Sequence, residues 1–247
     1  MPAAGPAPRL VPFAQAAHEH LQQIQDVTPA LTPTSTILGP YDVPAYGYLR
    51  SIILDVHAFG GSGSGSGFSA AEDAPWSVIS EIALIDTNGT PVVGPFSGYD
   101  LYLVNKYGGY AYAPDPKLSP MYSGVAASDG GFRFCLRVPV EFSAQDGLGS
   151  LPNTNAASTW KVRITLAPAN HVYGTTPSLL PSVHVRMHLD AWSQPSRTDP
   201  EGNTTTQAPP AVGTTSYWSK IILPVSYGFN TLRLLRVGAH IRNLLFV

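Results

Sequence analysis

The sequence predicts an all-β protein, a two-sheet sandwich or jelly roll, on three observations. Eight or nine short apolar stretches are separated by long loops. Gly (23) and Pro (24) together approach a fifth of the 247 residues, as in a chain that turns often. Only one stretch, residues 13–26, carries a convincing helical period.

In that stretch Phe13, Ala16, Ala17, Leu21 and Ile24 recur at three- and four-residue steps, which predicts one N-terminal amphipathic helix in an arm spanning residues 1–36. Its stripe can serve packing on its own domain, contact with a partner subunit, or contact with a membrane surface. Thr28-Pro29 and Thr32-Pro33 break the helix, because proline has no N–H and restricts its predecessor. Residues 46–59 then hold Leu49, Ile52, Ile53, Leu54 and Val56, too dense an apolar run for a one-sided sheet. The Gly/Ser alternation at 60–67 predicts a flexible loop without the spacing of a phosphate cradle. Residues 76–86 predict a strand that ends in the turn Asn88-Gly89, and a further strand is predicted at 99–106, where Leu101, Leu103 and Asn105 alternate with Tyr102 and Val104. After a Tyr/Gly/Pro loop at 107–130, Phe132, Phe134, Leu136, Val138 and Val140 share one face of a strand, with Pro139 marking an edge or bulge. Strands follow at 160–166 and 182–192, then a polar linker at 193–215, then strands at 216–225 and 232–247.

Only 12% of the residues are charged, about half the usual share, so much of the surface is neutral and suited to being covered by neighbouring subunits. Ten Arg and four Lys are scattered and the net charge is -2, which argues against direct nucleic-acid binding. The lone Cys135 excludes an intrachain disulfide and reads as a structural thiol. No apolar run follows a basic start and none reaches about 18 residues, so neither a signal peptide nor a membrane span is predicted.

No catalytic residue, cofactor or metal site is predicted, and the chain is read as a non-enzyme. His18 and His20 on a helix would point to different sides, and His184 and His188 on a strand would sit roughly 13 Å apart, too far for one ion. Glu72-Asp73 reads as a solvated loop end and Asp86 with Asn88 as a plain turn. The crowd of tyrosines from Tyr99 to Tyr122 leaves three uses open: subunit contact, internal packing, or glycan binding. An internal echo sets Gly47-Tyr48-Leu49-Arg50-Ser51-Ile52-Ile53-Leu54 against Ala239-His240-Ile241-Arg242-Asn243-Leu244-Leu245-Phe246, from a true repeat or from chance between two buried strands.

Three stretches in order carry a resemblance. One runs from Ile82-Ala83-Leu84-Ile85-Asp86 through Ser97-Gly98-Tyr99-Asp100 to Val104-Asn105. The second runs from Val138-Pro139-Val140-Glu141-Phe142 through Asp146-Gly147-Leu148-Gly149 to Trp160-Lys161-Val162-Arg163-Ile164-Thr165-Leu166. The third is 183–192, followed by Ile221-Ile222-Leu223-Pro224. Over residues 38–247 the chain thereby resembles the double-jelly-roll major capsid protein of tectivirus-like bacteriophages, the PRD1-adenovirus lineage. The resemblance implies a first jelly roll at 37–192, a linker at 193–215, and at 216–247 the start of a second jelly roll or closing strands, as in a fragment of a longer protein. It also implies homotrimeric capsomers in an icosahedral lattice, other capsid proteins at the vertices, and an internal lipid membrane near the N-terminal helix. The location implied is the virion, after synthesis in the host cytoplasm. Candidate subunit or membrane contacts are Phe13, Leu21, Ile24, Tyr107, Tyr110 and Tyr112. The alternatives are a viral spike or carbohydrate-binding β-sandwich and, more weakly, a cupin-type enzyme, for which the seven histidines assemble no metal cluster.

Overall fold

The computed structural model describes residues 10–63, 69–110, 113–143, 145–195, 198, 202–207, 216–218, 220–231, 238 and 240–246. A four-residue helix α1 (Phe13–Ala16) precedes β1 (Glu19–Val27), β2 (Thr36–Asp42), β3 (Tyr48–Phe59), β4 (Ile79–Ile85) and β5 (Pro91–Phe96). Helix α2 (Gly98–Gly108) follows, then β6 (Phe132–Pro139), the two-residue β7 (Leu151–Pro152), β8 (Lys161–Leu166) and β9 (Ser182–Trp192). One sheet has the order β1-β9-β3-β6, with β7 also on β3, and the other has the order β2-β8-β4-β5.

The antiparallel pairs β1·β9, β2·β8, β3·β6 and β4·β5 are nested within one another along the chain. The chain therefore behaves as one long hairpin, its tip at Asn88-Gly89, rolled up until β3 meets β9 and β4 meets β8. That connectivity is a jelly-roll β-sandwich. At the tip the Asp86 carboxylate accepts from the backbone N–H of Asn88 (2.8 Å) and Thr90 (2.7 Å), a plain turn. The core lies between the sheets. It takes Ile52, Leu54 and Val56 from β3, Phe132, Phe134, Leu136 and Val138 from β6, and Val183, Val185, Met187 and Leu189 from β9. From the other sheet come Leu38, Ile82, Leu84, Val162, Ile164 and Leu166. Period-two alternation is visible in β6, β8 and β9, whose outward residues are partly buried except towards the ends of β6 and β9, where Pro139 and Asp190 are buried.

Three expectations are corrected. The helix expected at 13–26 stops at Ala16, and the rest of the stretch is β1. An isolated helix of that length is marginal in water, whereas β9 offers a row of unpaired backbone groups that β1 satisfies from Glu19 to Val27. The strand expected at 99–106 is α2, because Ser97 and Asp100 form a reciprocal capping box: the Ser97 hydroxyl accepts from the Asp100 N–H and the Asp100 carboxylate accepts from the Ser97 N–H. Its buried residues Leu101, Val104, Asn105 and Gly108 follow the helical period, and Gly109 closes it at φ 75°. Gly98 is required by contact, since a Cβ there would lie 2.1 Å from the Trp76 carbonyl oxygen. The strand expected at 216–225 does not form among its described residues, and of the strand expected at 232–247 residues 232–237, 239 and 247 lie outside the described residues.

Helix α2 also seals an edge. The Asn105 amide donates to the Arg137 carbonyl (2.7 Å) and to the Leu101 carbonyl (2.8 Å), and its oxygen accepts from the Arg137 N–H (2.8 Å), so a side chain stands in for a neighbouring strand on β6. Asn105→Ala leaves both Arg137 backbone groups buried without these partners, and urea denaturation is expected to show a loss of about 2–3 kcal/mol.

Candidate functional site

The face of the β1-β9-β3-β6 sheet turned away from the core carries two networks of charge. In β3 the register against β9 shifts between Leu49 and Ser51, a bulge at Arg50. It lets Arg50 and Ser51 both reach Asp190 on β9, through Nη1 at 3.4 Å and Oγ at 2.8 Å. Arg50 is 5% exposed. Its Nη1 also donates to Glu19 on β1 (2.8 Å) and its Nε to Glu141 just after β6 (3.3 Å). Its guanidinium lies 4.1 Å from the centre of the Trp192 ring, and the Trp192 indole N–H donates to Glu141 (2.5 Å). Arg137 on β6 pairs with Asp190 at 3.3 Å. One guanidinium thus ties three strands and the segment after β6. Burial opposes the Arg50 charge, but the carboxylates of Asp190, Glu141 and Glu19 outweigh it and hold its proton more firmly than usual.

Further along the same face, Asp55 on β3 accepts from Arg133 on β6 (3.1 and 3.0 Å) and from Arg186 on β9 (2.7 Å). Burial and the nearby Arg133 push the His57 imidazole below its ordinary value. His184 pairs with Asp26, so β1 is fastened to its neighbours at both ends, by Glu19 to Arg50 and by Asp26 to His184.

The structure separates the six candidate contact residues. Phe13 is buried, packed edge-on against Tyr48 (5.2 Å) and Trp192 (6.2 Å) in a small cluster with Ala17. Tyr110 is buried against Trp218 and lies beside Arg242. Ile24 is partly buried against the core, whereas Leu21 is 62% and Tyr107 59% exposed. Tyr112 lies outside the described residues. Cys135 is partly buried, and burial together with Asp55 pushes its thiol up to about 11, as a structural cysteine. His20 stacks on Tyr46 at 3.9 Å while Glu19 serves Arg50. Among the described residues no group of three or more His, Cys, Asp or Glu could hold a metal ion, and no helix is long and apolar enough to cross a membrane.

No protein-family model and no curated protein matches the chain. Solved structures do. The STIV MCP is 14% identical over 70% of this chain and 49% of that one, at a TM-score of 0.42. A chain of the atomic structure of Sulfolobus Turreted Icosahedral Virus is 13% identical over 75% and 51%, at 0.44. PBCV-1 VP54, fitted into a reconstruction of the virophage Sputnik, is 11% identical over 72% and 43%, at 0.44. The chain spans about half the length of the solved structures it matches.

Neither network was singled out from sequence, though one signal was present: an Arg inside the run Leu49-Arg50-Ser51-Ile52-Ile53-Leu54 can be buried only with carboxylates to meet it. Which carboxylates, from positions 19, 141 and 190, depends on the strand order. Arg50→Ala strands Glu141 and Asp190 in a buried setting and is expected to cost about 3–5 kcal/mol in chemical denaturation, with Arg50→Lys intermediate because the fork is lost but the charge is kept. Burial pushes the Glu141 carboxyl above its ordinary value, against the pull of Arg50 and the Trp192 N–H. A raised folded value means the native state binds the extra proton, so Glu141 favours folding at low pH and loses that contribution as pH rises through the folded value. Denaturation across an acid-to-neutral series should show wild type losing ground to Glu141→Gln through that window and a constant difference above it.

Proposed function

We propose that this chain is a coat protein that works by self-assembly, building trimeric capsomers of an icosahedral phage shell. The observation that carries the reading is the nested eight-strand jelly roll, on which the three stretches of the capsid resemblance fall in order. They lie on β4 through α2, on the end of β6 through β8, and on β9, with Ile221-Ile222-Leu223-Pro224 outside any strand. The Ser97-Gly98-Tyr99 motif is the capped start of a helix in this chain. A sandwich with 12% charged residues has the neutral flanks that packing against copies of itself requires.

Exposed apolar side chains support the same reading. Ile222 (82%), Val225 (81%), Tyr227 and Phe229 crowd one short stretch, with Ile241, Leu244 and Phe246 exposed further on. Isolated soluble chains rarely leave such a concentration uncovered. Leu21 on β1 and Tyr107 at the end of α2 are the candidate contacts that remain free to meet a neighbour. An internal membrane does not enter the proposal, because the stretch meant to face it is a four-residue helix with Phe13 buried, followed by a sheet strand.

Sedimentation of the purified protein without ligand is expected to show trimers or larger particles. A monomer at every concentration would overturn the proposal.

A further inference from the structure

Four strand edges bound the two sheets, and three are closed by identifiable devices. On β6, Asn105 pairs with Arg137, and the Ser123 and Arg133 backbones exchange hydrogen bonds at 2.8 and 3.1 Å. On β2, Gly39-Pro40 sits where the register shifts between Leu38 and Tyr41, and proline offers no N–H to a newcomer. On β5, Pro91 and Pro95 interrupt the donors, and Val93 already bridges to Trp218. The β1 edge is different: Glu19-His20-Leu21-Gln22-Gln23 holds no proline, lysine or arginine, and no described segment pairs with its outer side.

The direction of its backbone groups follows from its neighbour. The Ser193 N–H donates to the His18 carbonyl (2.8 Å), so residues 18, 20 and 22 turn their hydrogen bonds towards β9. Residues 19, 21 and 23 consequently present N–H and C=O to the outside. The side chains of Glu19, Leu21 and Gln23 stand on the sheet's outer face, with Leu21 in the middle of the unbulged segment; the bulge comes later, between Gln23 and Gln25.

We propose that β1 is a self-recognition edge at which two copies of this chain join antiparallel about a two-fold axis, with Leu21 opposite Leu21 of the other copy. In this register Glu19 meets Gln23 and His20 meets Gln22. Roughly six backbone hydrogen bonds form, and no like charges stand opposite each other. Leu21, 62% exposed in the single chain, packs on its mate. Glu19 keeps its bond to Arg50, so the network that fastens β1 also holds the edge in place for docking. The interface is isologous, and the two sheets become one continuous sheet. The occupant is a second copy because the segment is complementary to itself in the register that its own hydrogen-bond parity dictates. This inference deepens the self-assembly reading and rests on it for the copies meeting at all.

Disulfide trapping tests it on the full chain in a Cys135→Ser background. Across the two-fold axis Leu21→Cys sulfurs belong to a hydrogen-bonded pair with Cα atoms about 5.5 Å apart, within bonding range, whereas Gln23→Cys mates on the same face stand roughly 13 Å apart. Oxidation should convert Leu21→Cys to covalent dimer and leave Gln23→Cys unlinked. Leu21→Pro, which removes only an outward N–H and spares the β1·β9 ladder, should shift sedimentation to smaller species while the far-ultraviolet circular dichroism stays that of wild type. Wild-type assembly with no Leu21→Cys link and unaltered Leu21→Pro sedimentation would overturn this interface and leave self-assembly standing. A monomeric wild type would overturn both.

Discussion

β3 and β9 pair from Tyr48 against Trp192 to Phe59 against Ser182, and both are buried along their inner sides. They are the middle of the sheet, separated by more of the chain than β2 from β8 or β4 from β5. Their contact therefore carries a large loop-closure cost, offset by the apolar area of the inner sides. Once it is made, β1 and β6 have edges to pair with, the second sheet has a face to cover, and the outer face brings Asp190, Arg186, Asp55 and Arg50 within reach of one another.

A chain so poor in charge nevertheless places some of it in buried positions. Arg50, Asp55, Glu141 and Asp190 are each less than a tenth exposed. Such groups add little net stability compared with apolar side chains of the same size, but removing one partner is costly, so they discriminate against wrong registers. A one-residue slip of β3 on β9 would turn Asp55 into the core and separate it from Arg133 and Arg186. The networks thus specify the same strand alignment as the apolar core, from which that slip would also turn Leu54 and Val56.

The edges of the two sheets are treated unequally. Proline, an asparagine side chain and a returning loop close three of them. The charged networks meanwhile fasten β1 at both ends and leave its outer backbone groups in a fixed row. A strand fastened at both ends, with no described segment on its outer side, is suited to adding a partner strand, because little ordering entropy is left to lose on docking.

Local pattern was enough for β3, β6, β8 and β9, whose alternation or dense apolar runs are set by which residues must leave water. It was enough as well for the hairpin tip at Asn88-Gly89 and the all-β class. It failed at 13–26 and 99–106, where each stretch supports two periods and the choice lies elsewhere. β1 is a strand because β9 has an edge to fill. The α2 segment is a helix because Ser97 and Asp100 cap it, a signal legible at the sequence level that the alternation of Leu101 and Leu103 obscured. The charged outer face was legible only as an Arg in an apolar run. Arg50 announces a need for carboxylates, but only folding brings Glu19, Glu141 and Asp190 to it, because hydrogen bonds and ion pairs act over a few ångströms and those residues are distant in the chain.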